Sequence, residues 1–268
     1  MGYLIAISVY LLALVIYGLV IAHKKVKTAD DMVTGGHRIP FIILVGSLLA
    51  TWCGGGGITG SAGVVYSGGP WVGAITFAAP PIGIILLYFI AGKVRKSNKV
   101  TVPEIMEARY GKAASIISAL CVMLAYVGVL ATQLKAAADI LVLLCSSSGV
   151  ELSHGLALTI CTVVIVVITV GGGLVSVAYS DAISALIMIG GFFLAIPFLI
   201  SVANSQGAVL PPEKTTITGG MSGVEILGYF LPSLALMLGD QNMLQRFASA
   251  KNSDEAKKSN IGMFIGEI

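Results

Sequence analysis

The chain has 268 residues, of which 56% are hydrophobic and 11% charged, with a net charge of +3 and a mean hydropathy of +0.95. This balance lies outside the range of soluble globular domains and provides no basic surface for a nucleic-acid partner. It predicts an all-α membrane protein, a multi-span helical bundle held in the lipid bilayer.

Taken in order, apolar runs cover residues 3–22, 41–66, 71–92, 113–145, 154–170, 174–202 and 224–247. Each is long enough to approach or cross a hydrocarbon core of ~30 Å at ~1.5 Å per residue. A further run begins at Asn260 and has reached only nine residues at Ile268. The first run lacks a basic flank and a small-residue cleavage pattern, so it reads as a retained span. Cys53, Cys121, Cys145 and Cys161 fall in or beside apolar runs without zinc or disulfide spacing, and read as small buried hydrophobes.

The connections alternate in charge. Lys24, Lys25, Lys27 and Arg38 follow the first span; Lys93, Arg95, Lys96, Lys99, Arg109 and Lys112 follow the third; Arg246, Lys251, Lys257 and Lys258 follow the seventh. That places 14 of the 16 basic residues on one side, against Lys214 alone on the other and Lys135 within a span. The positive-inside bias then puts the basic loops in the cytoplasm and the N-terminus outside. Thr101-Val102-Pro103-Glu104 reads as a capping box opening a short cytoplasmic helix over 104–110. Residues 203–223, with Pro211-Pro212 and Gly219-Gly220, read as an irregular external connection.

The second span contains Trp52-Cys53-Gly54-Gly55-Gly56-Gly57-Ile58-Thr59-Gly60. Four consecutive glycines disfavour a continuous helix, at up to ~1 kcal/mol each. Broken backbone must avoid lipid, so this predicts unwinding from about Trp52 to Gly57 against protein or a wet cavity, where carbonyls can serve a cation. The same glycines also suit close helix packing, as in Gly56–Gly60. Gly55-x-Gly57-x-x-Gly60 matches a dinucleotide fingerprint only formally, since no strand precedes it.

Polar residues inside the later spans are the other candidates. Asp181 is a carboxylate near the inner start of the sixth span, a functional residue or a helix-start residue favoured by the dipole. Asp240-Gln241-Asn242 interrupt the seventh span after Gly239, where a second break is expected. Lys135 and Asp139, one helical turn apart, form an expected structural ion pair, with Gln133 beside them. His23, His37 and His154 lie at span edges and receive no role.

Four patches together resemble the sodium:solute symporter family: residues 50–63, 102–111, 172–181 and 240–251. The resemblance implies a leucine-transporter type of fold, with two inverted five-helix repeats after one extra helix. It divides the chain into the extra helix and a cytoplasmic loop (1–40), the first repeat (41–202) and the start of the second (223–268). Family members run to about twice this length, so the chain resembles the N-terminal half of one, cut within its eighth span. The resemblance implies sodium coordination by the carbonyls of Ala50 and Cys53, with Asp181 on the sodium exit path. It implies substrate or gate positions at Trp52, Gly54, Gly55, Asp240, Gln241 and Asn242. Asn242 and Pro70 stand where sugar-transporting members carry an aromatic and an acidic residue, which disfavours a sugar. The Trp52–Gly60 stretch resembles the choline-transporting branch, and an indole face can attract a quaternary ammonium group.

The expected function is plasma-membrane symport of a small organic solute with Na⁺ as coupling ion, by alternating access, with no other cofactor and no enzymatic activity. The other readings are a membrane sensor or interaction module derived from a symporter, and an inactive fragment. The first needs the second half of the fold to complete its sites.

Overall fold

The structure, a computed structural model, describes residues 2–207 and 209–267. Its helices in chain order are α1 (Gly2–Lys25), α2 (Ala29–Thr34), α3 (Phe41–Trp52), α4 (Gly55–Gly68), α5 (Pro70–Phe77), α6 (Ala79–Ser97), α7 (Val102–Tyr110), α8 (Lys112–Ser147), α9 (His154–Ser205), α10 (Gly223–Gly239), α11 (Gln241–Ser249) and α12 (Ser253–Glu267). Five of these segments, or six with the bent pair α3–α4, are apolar and long enough to cross a membrane among the described residues.

The fifth and sixth spans are two helices joined directly at a kink, within one stretch of 52 residues, α9. At ~1.5 Å per residue that run would extend ~78 Å, more than twice the hydrocarbon thickness. Gly173 resolves the mismatch: its φ of 55° and ψ of −154° break the helix between 154–172 and 174–205. Gly18 of α1 lies against Ile168 on one side of this break and Ser176 on the other. A Cβ at Gly173 would stand 2.5 Å from the Met32 carbonyl oxygen, so the turn requires glycine.

The end signals decide where the other helices stop. Thr28 caps α2 in a capping box with Asp31, and Ser222 does the same for α10 with Glu225. The expected box at Thr101 is offset by one residue. The Thr101 hydroxyl accepts from the Glu104 amide, while Glu104 reaches back to the amide of Val100. The connection before α10 contains a short 3-10 turn at Pro212–Thr215.

The main core joins α3, α6, α11 and α12, with Leu44, Leu48, Ile84, Leu87, Phe247 and Met263 fully buried. Lipid provides no hydrophobic drive between spans, so close approach depends on small residues. A Cβ on Gly46 would lie 2.7 Å from the Ala182 Cα, which brings α3 and α9 nearly into backbone contact. The last helix differs from expectation: α12 starts at Ser253, and its Ala256, Ser259, Asn260 and Met263 are buried. The expected cut at Ile268 lies outside the described residues. α8 is largely exposed, which places Cys121 on its outer face rather than in the core; Cys145 alone of the four cysteines is buried.

Candidate functional site

The second span breaks at two residues, not six. α3 ends at Trp52, Cys53 adopts φ −81° and ψ 52°, and Gly54 is extended before α4 resumes at Gly55. The halves meet at 49°. The helix restarts early because the Gly54 carbonyl accepts from the Ile58 amide, closing a first turn over the glycines. The Gly54 amide donates to the Trp52 carbonyl at 2.9 Å, two residues back, instead of the Ala50 carbonyl that a continuous helix would use. A Cβ on Gly54 would meet the Gln133 carboxamide of α8, so Gln133 packs at the break and not beside Lys135. Trp52 lies partly buried against the core.

One turn before the break, three elements meet in a charged cluster. Arg246 of α11 is 5% exposed. Its Nε donates to Ser47 Oγ at 2.7 Å, its Nη2 to Asp181 Oδ2 at 2.9 Å, and its Nη1 to the Asn242 carbonyl at 3.3 Å. Ser47 Oγ donates in turn to the same Asp181 oxygen at 2.9 Å. Short charge-assisted bonds of this kind are the strong ones, and each ion here neutralises the other in a poorly hydrated place. Asp181 therefore has a charged partner. The dipole at a helix start is not its principal support, since Asp181 lies within the continuous run after Gly173.

The seventh span breaks where expected. Asp240 is extended between α10 and α11 and caps α11 by accepting from the Met243 amide at 2.8 Å. The Tyr126 hydroxyl of α8 accepts from the Asn242 amide at 3.1 Å, directly beside Asp240. Gln241 uses both ends of its carboxamide on the α6–α7 connection: its Oε1 accepts from the Val102 amide at 2.7 Å and its Nε2 donates to the Val100 carbonyl at 3.1 Å. These bonds fix the second break to α8 and α7 rather than to Trp52, Gly54 or Gly55.

The expected Lys135–Asp139 pair is present at 2.9 Å, with side chains 72% and 49% exposed. His154 Nε2 lies 2.9 Å from the second oxygen of Asp139, a partner that its edge position did not suggest. His37, also left without a role, places Nδ1 2.6 Å from the Ala248 carbonyl. Arg246 was counted among the loop cations; the signals for it were its place between Leu244 and Phe247 and the need of Asp181 for a counter-charge.

Two discontinuous spans within one helical bundle fit the architecture of a secondary transporter, in which broken helices line a central site. Residues 32–266 match the sodium:solute symporter family, and the chain belongs to it. It is 26% identical to the high affinity choline transporter 1 of Homo sapiens over 95% of this chain and 46% of that protein. It is also 26% identical to the sodium/sialic acid symporter NanT of Aliivibrio fischeri, over 96% of this chain and 52% of that one. The solved substrate-bound outward-open structure of a Na⁺-coupled sialic acid symporter superposes with a TM-score of 0.74 at 20% identity, covering 96% of this chain and 55% of that one. The fold is therefore of the leucine-transporter type. The chain spans about half the length of the curated relatives it matches.

Proposed function

We propose that this chain provides the first repeat and the opening of the second repeat of a symporter that couples Na⁺ entry to uptake of a small organic solute. One observation carries the reading: the Gly54 amide turns to Trp52 and leaves the Ala50 carbonyl without its helical donor, beside a charged cluster that ties α3 and α9 to α11. A carbonyl freed inside a bundle is a hard-cation ligand, and Ala50 and Cys53 are the proposed contributors. A Na⁺ site needs about six oxygens, so further ligands must come from elements beyond those described here. Asp181, bonded to Ser47 one turn before Ala50, is the proposed residue on the ion's inward route, with Arg246 as its partner when the ion is absent. Asp240, Gln241, Asn242, Trp52, Gly54 and Gly55 remain the proposed substrate and gate positions. Within that set, Gln241 and Asp240 act by holding the second break in place. Similarity to choline transporters, a missing aromatic at Asn242 and the indole at Trp52 favour a quaternary ammonium solute over a sugar. The N-terminus lies outside and the basic loops in the cytoplasm of a plasma-membrane protein.

The test is Na⁺-gradient-driven uptake of radiolabelled choline, betaine and sialic acid in proteoliposomes. Residues 1–268 are compared with a chain of full family length carrying this segment. The long chain should take up a solute only with an inward Na⁺ gradient, the short one should not, and Asp181→Asn should slow uptake more than it lowers abundance. Uptake by the long chain that ignores Na⁺, or robust uptake by residues 1–268 alone, would overturn the reading.

A further inference from the structure

Where α1 leaves the membrane, the end of α1, the α1–α2 connection, α2 and the inner end of the sixth span enclose a cavity of about 280 Å³. Four cations line it: Lys24, Lys25, Lys27 and Arg38. Among the described residues none of the four makes an ion pair. The one carboxylate in the lining, Asp31, is committed to capping α2, where it accepts from the Lys27 and Thr28 amides at 3.1 and 3.0 Å and from the Thr28 hydroxyl at 2.9 Å. Those bonds, the Lys27 amide first, hold its carboxyl below the usual range, so it stays ionised. With four cations against one carboxylate, the cavity holds a net positive charge. Lys25 is fixed in position, its Nζ donating to the Tyr179 hydroxyl at 2.7 Å with the ring 4.6 Å away.

The approach to the cavity is apolar. Ile5, Val9, Leu12, Ile16 and Val20 form an exposed stripe down α1, and the helical spacing continues it into Lys24, with Lys27 in the connection just after. From Leu12 to Lys24 is ~18 Å along the helix, about one leaflet of hydrocarbon. A phosphate held by the cations would thus have acyl chains running along that stripe.

We propose that this cavity binds the anionic headgroup of a phospholipid of the cytoplasmic leaflet, with its chains on α1. The shared chemistry is a phosphate, and the stripe is what favours a lipid over a soluble anion. Binding there fastens the peripheral α1 and the α1–α2 connection to the inner end of the sixth span, independently of the transport reading.

The experiment counts bound lipid by native mass spectrometry on the purified chain, titrated with phosphatidylglycerol or phosphatidylcholine. Phosphatidylglycerol should bind at least ~10-fold better, and Lys24→Gln/Arg38→Gln should weaken it ~25-fold, at about five-fold per cation. Lys24→Arg should bind as the parent does, which controls for folding. Lys93→Gln/Lys96→Gln removes equal charge outside the cavity and should change binding less than ~3-fold. Equal losses from both double variants, or no preference for phosphatidylglycerol, would overturn the site. Displacement of the lipid by millimolar inorganic phosphate would overturn its assignment to lipid.

Discussion

Removing the guanidinium from the Ser47–Asp181–Arg246 cluster is the sharpest perturbation the structure offers. Arg246→Met preserves length and packing beside Phe247 but deletes three donors, those to Ser47, Asp181 and the Asn242 carbonyl. Breaking a buried pair by removing one partner costs about 3–5 kcal/mol, because the other charge is left uncompensated. The Asp181 side chain is 23% exposed and keeps its bond from Ser47, which places the expected loss at the lower end, about 3 kcal/mol. Asp181→Asn should cost less, about 1–2 kcal/mol, since the amide oxygen still accepts from Arg246. The double variant should then lose less than the two single losses added, by a coupling of about 1.5–3 kcal/mol. Thermal unfolding of the four proteins in one detergent, followed by tryptophan fluorescence, gives the cycle. Additivity within about 0.5 kcal/mol would mean that the 2.9 Å contact contributes no coupling, and the reasoning would fail.

Two further outcomes are expected. Gly173→Ala should destabilise the protein by about 3 kcal/mol or more, a fall of ~6–12 °C in Tm, because it combines a backbone conformation open to glycine with a clash against the Met32 carbonyl; an unchanged midpoint would refute the break of α9 at Gly173. In a background lacking the native cysteines, Ser148→Cys and Gln206→Cys should react with an impermeant thiol reagent from outside and Lys25→Cys and Lys257→Cys should not, whereas outside labelling of Lys25→Cys would invert the orientation.

The fold was largely legible because its determinants are local. Span length, the alternation of loop charge and the Gly and Asp interruptions are all read within a few residues, and both breaks fall on or beside the residues that signalled them. The width of the first break was not legible. Glycine propensity disfavours helix over Gly54–Gly57, but that cost is about 1 kcal/mol per residue. It is outweighed by bonding groups that lipid cannot satisfy, so the helix resumes at Gly55. The partner of Asp181 lies 65 residues away and Ser47 lies 199 from Arg246, separations over which no sequence period carries information. What could be read was a requirement: a carboxylate inside a span needs a cation, and Arg246 is the one basic residue flanked by apolar residues of a broken span. His37 and His154 stayed hidden because an imidazole at a span edge is ordinary until its neighbour is known.

Under the proposed transport function, α11 is the element that must move for a gate to open, and the side-chain bonds that tie it to other elements are long-range. Besides the charged cluster, both ends of α11 and the two residues after it are held by the α1–α3 and α6–α7 connections and the end of α6. His37 reaches the Ala248 carbonyl, Gln245 donates to the Val33 carbonyl, Arg95 donates to the Ala250 carbonyl at 2.6 Å and to the Lys251 carbonyl at 3.4 Å, and Gln241 grips both Val100 and Val102. A typical intramolecular hydrogen bond contributes about 0.5–1.5 kcal/mol net, so these six together hold α11 to its neighbours by several kcal/mol. Converting a two-state equilibrium from 1:99 to 99:1 takes about 5.5 kcal/mol. The clamp is thus of the size that differential binding of one ion and one solute can offset. No single bond within it suffices as a lock. Opening on this side requires α11 to leave α2, α6 and the α6–α7 connection together, and Asp181 is the group whose partner then departs. Under the proposed transport function, a cation reaching Asp181 would meet a carboxylate that has just lost its guanidinium, and release of the clamp would be coupled to passage of the ion.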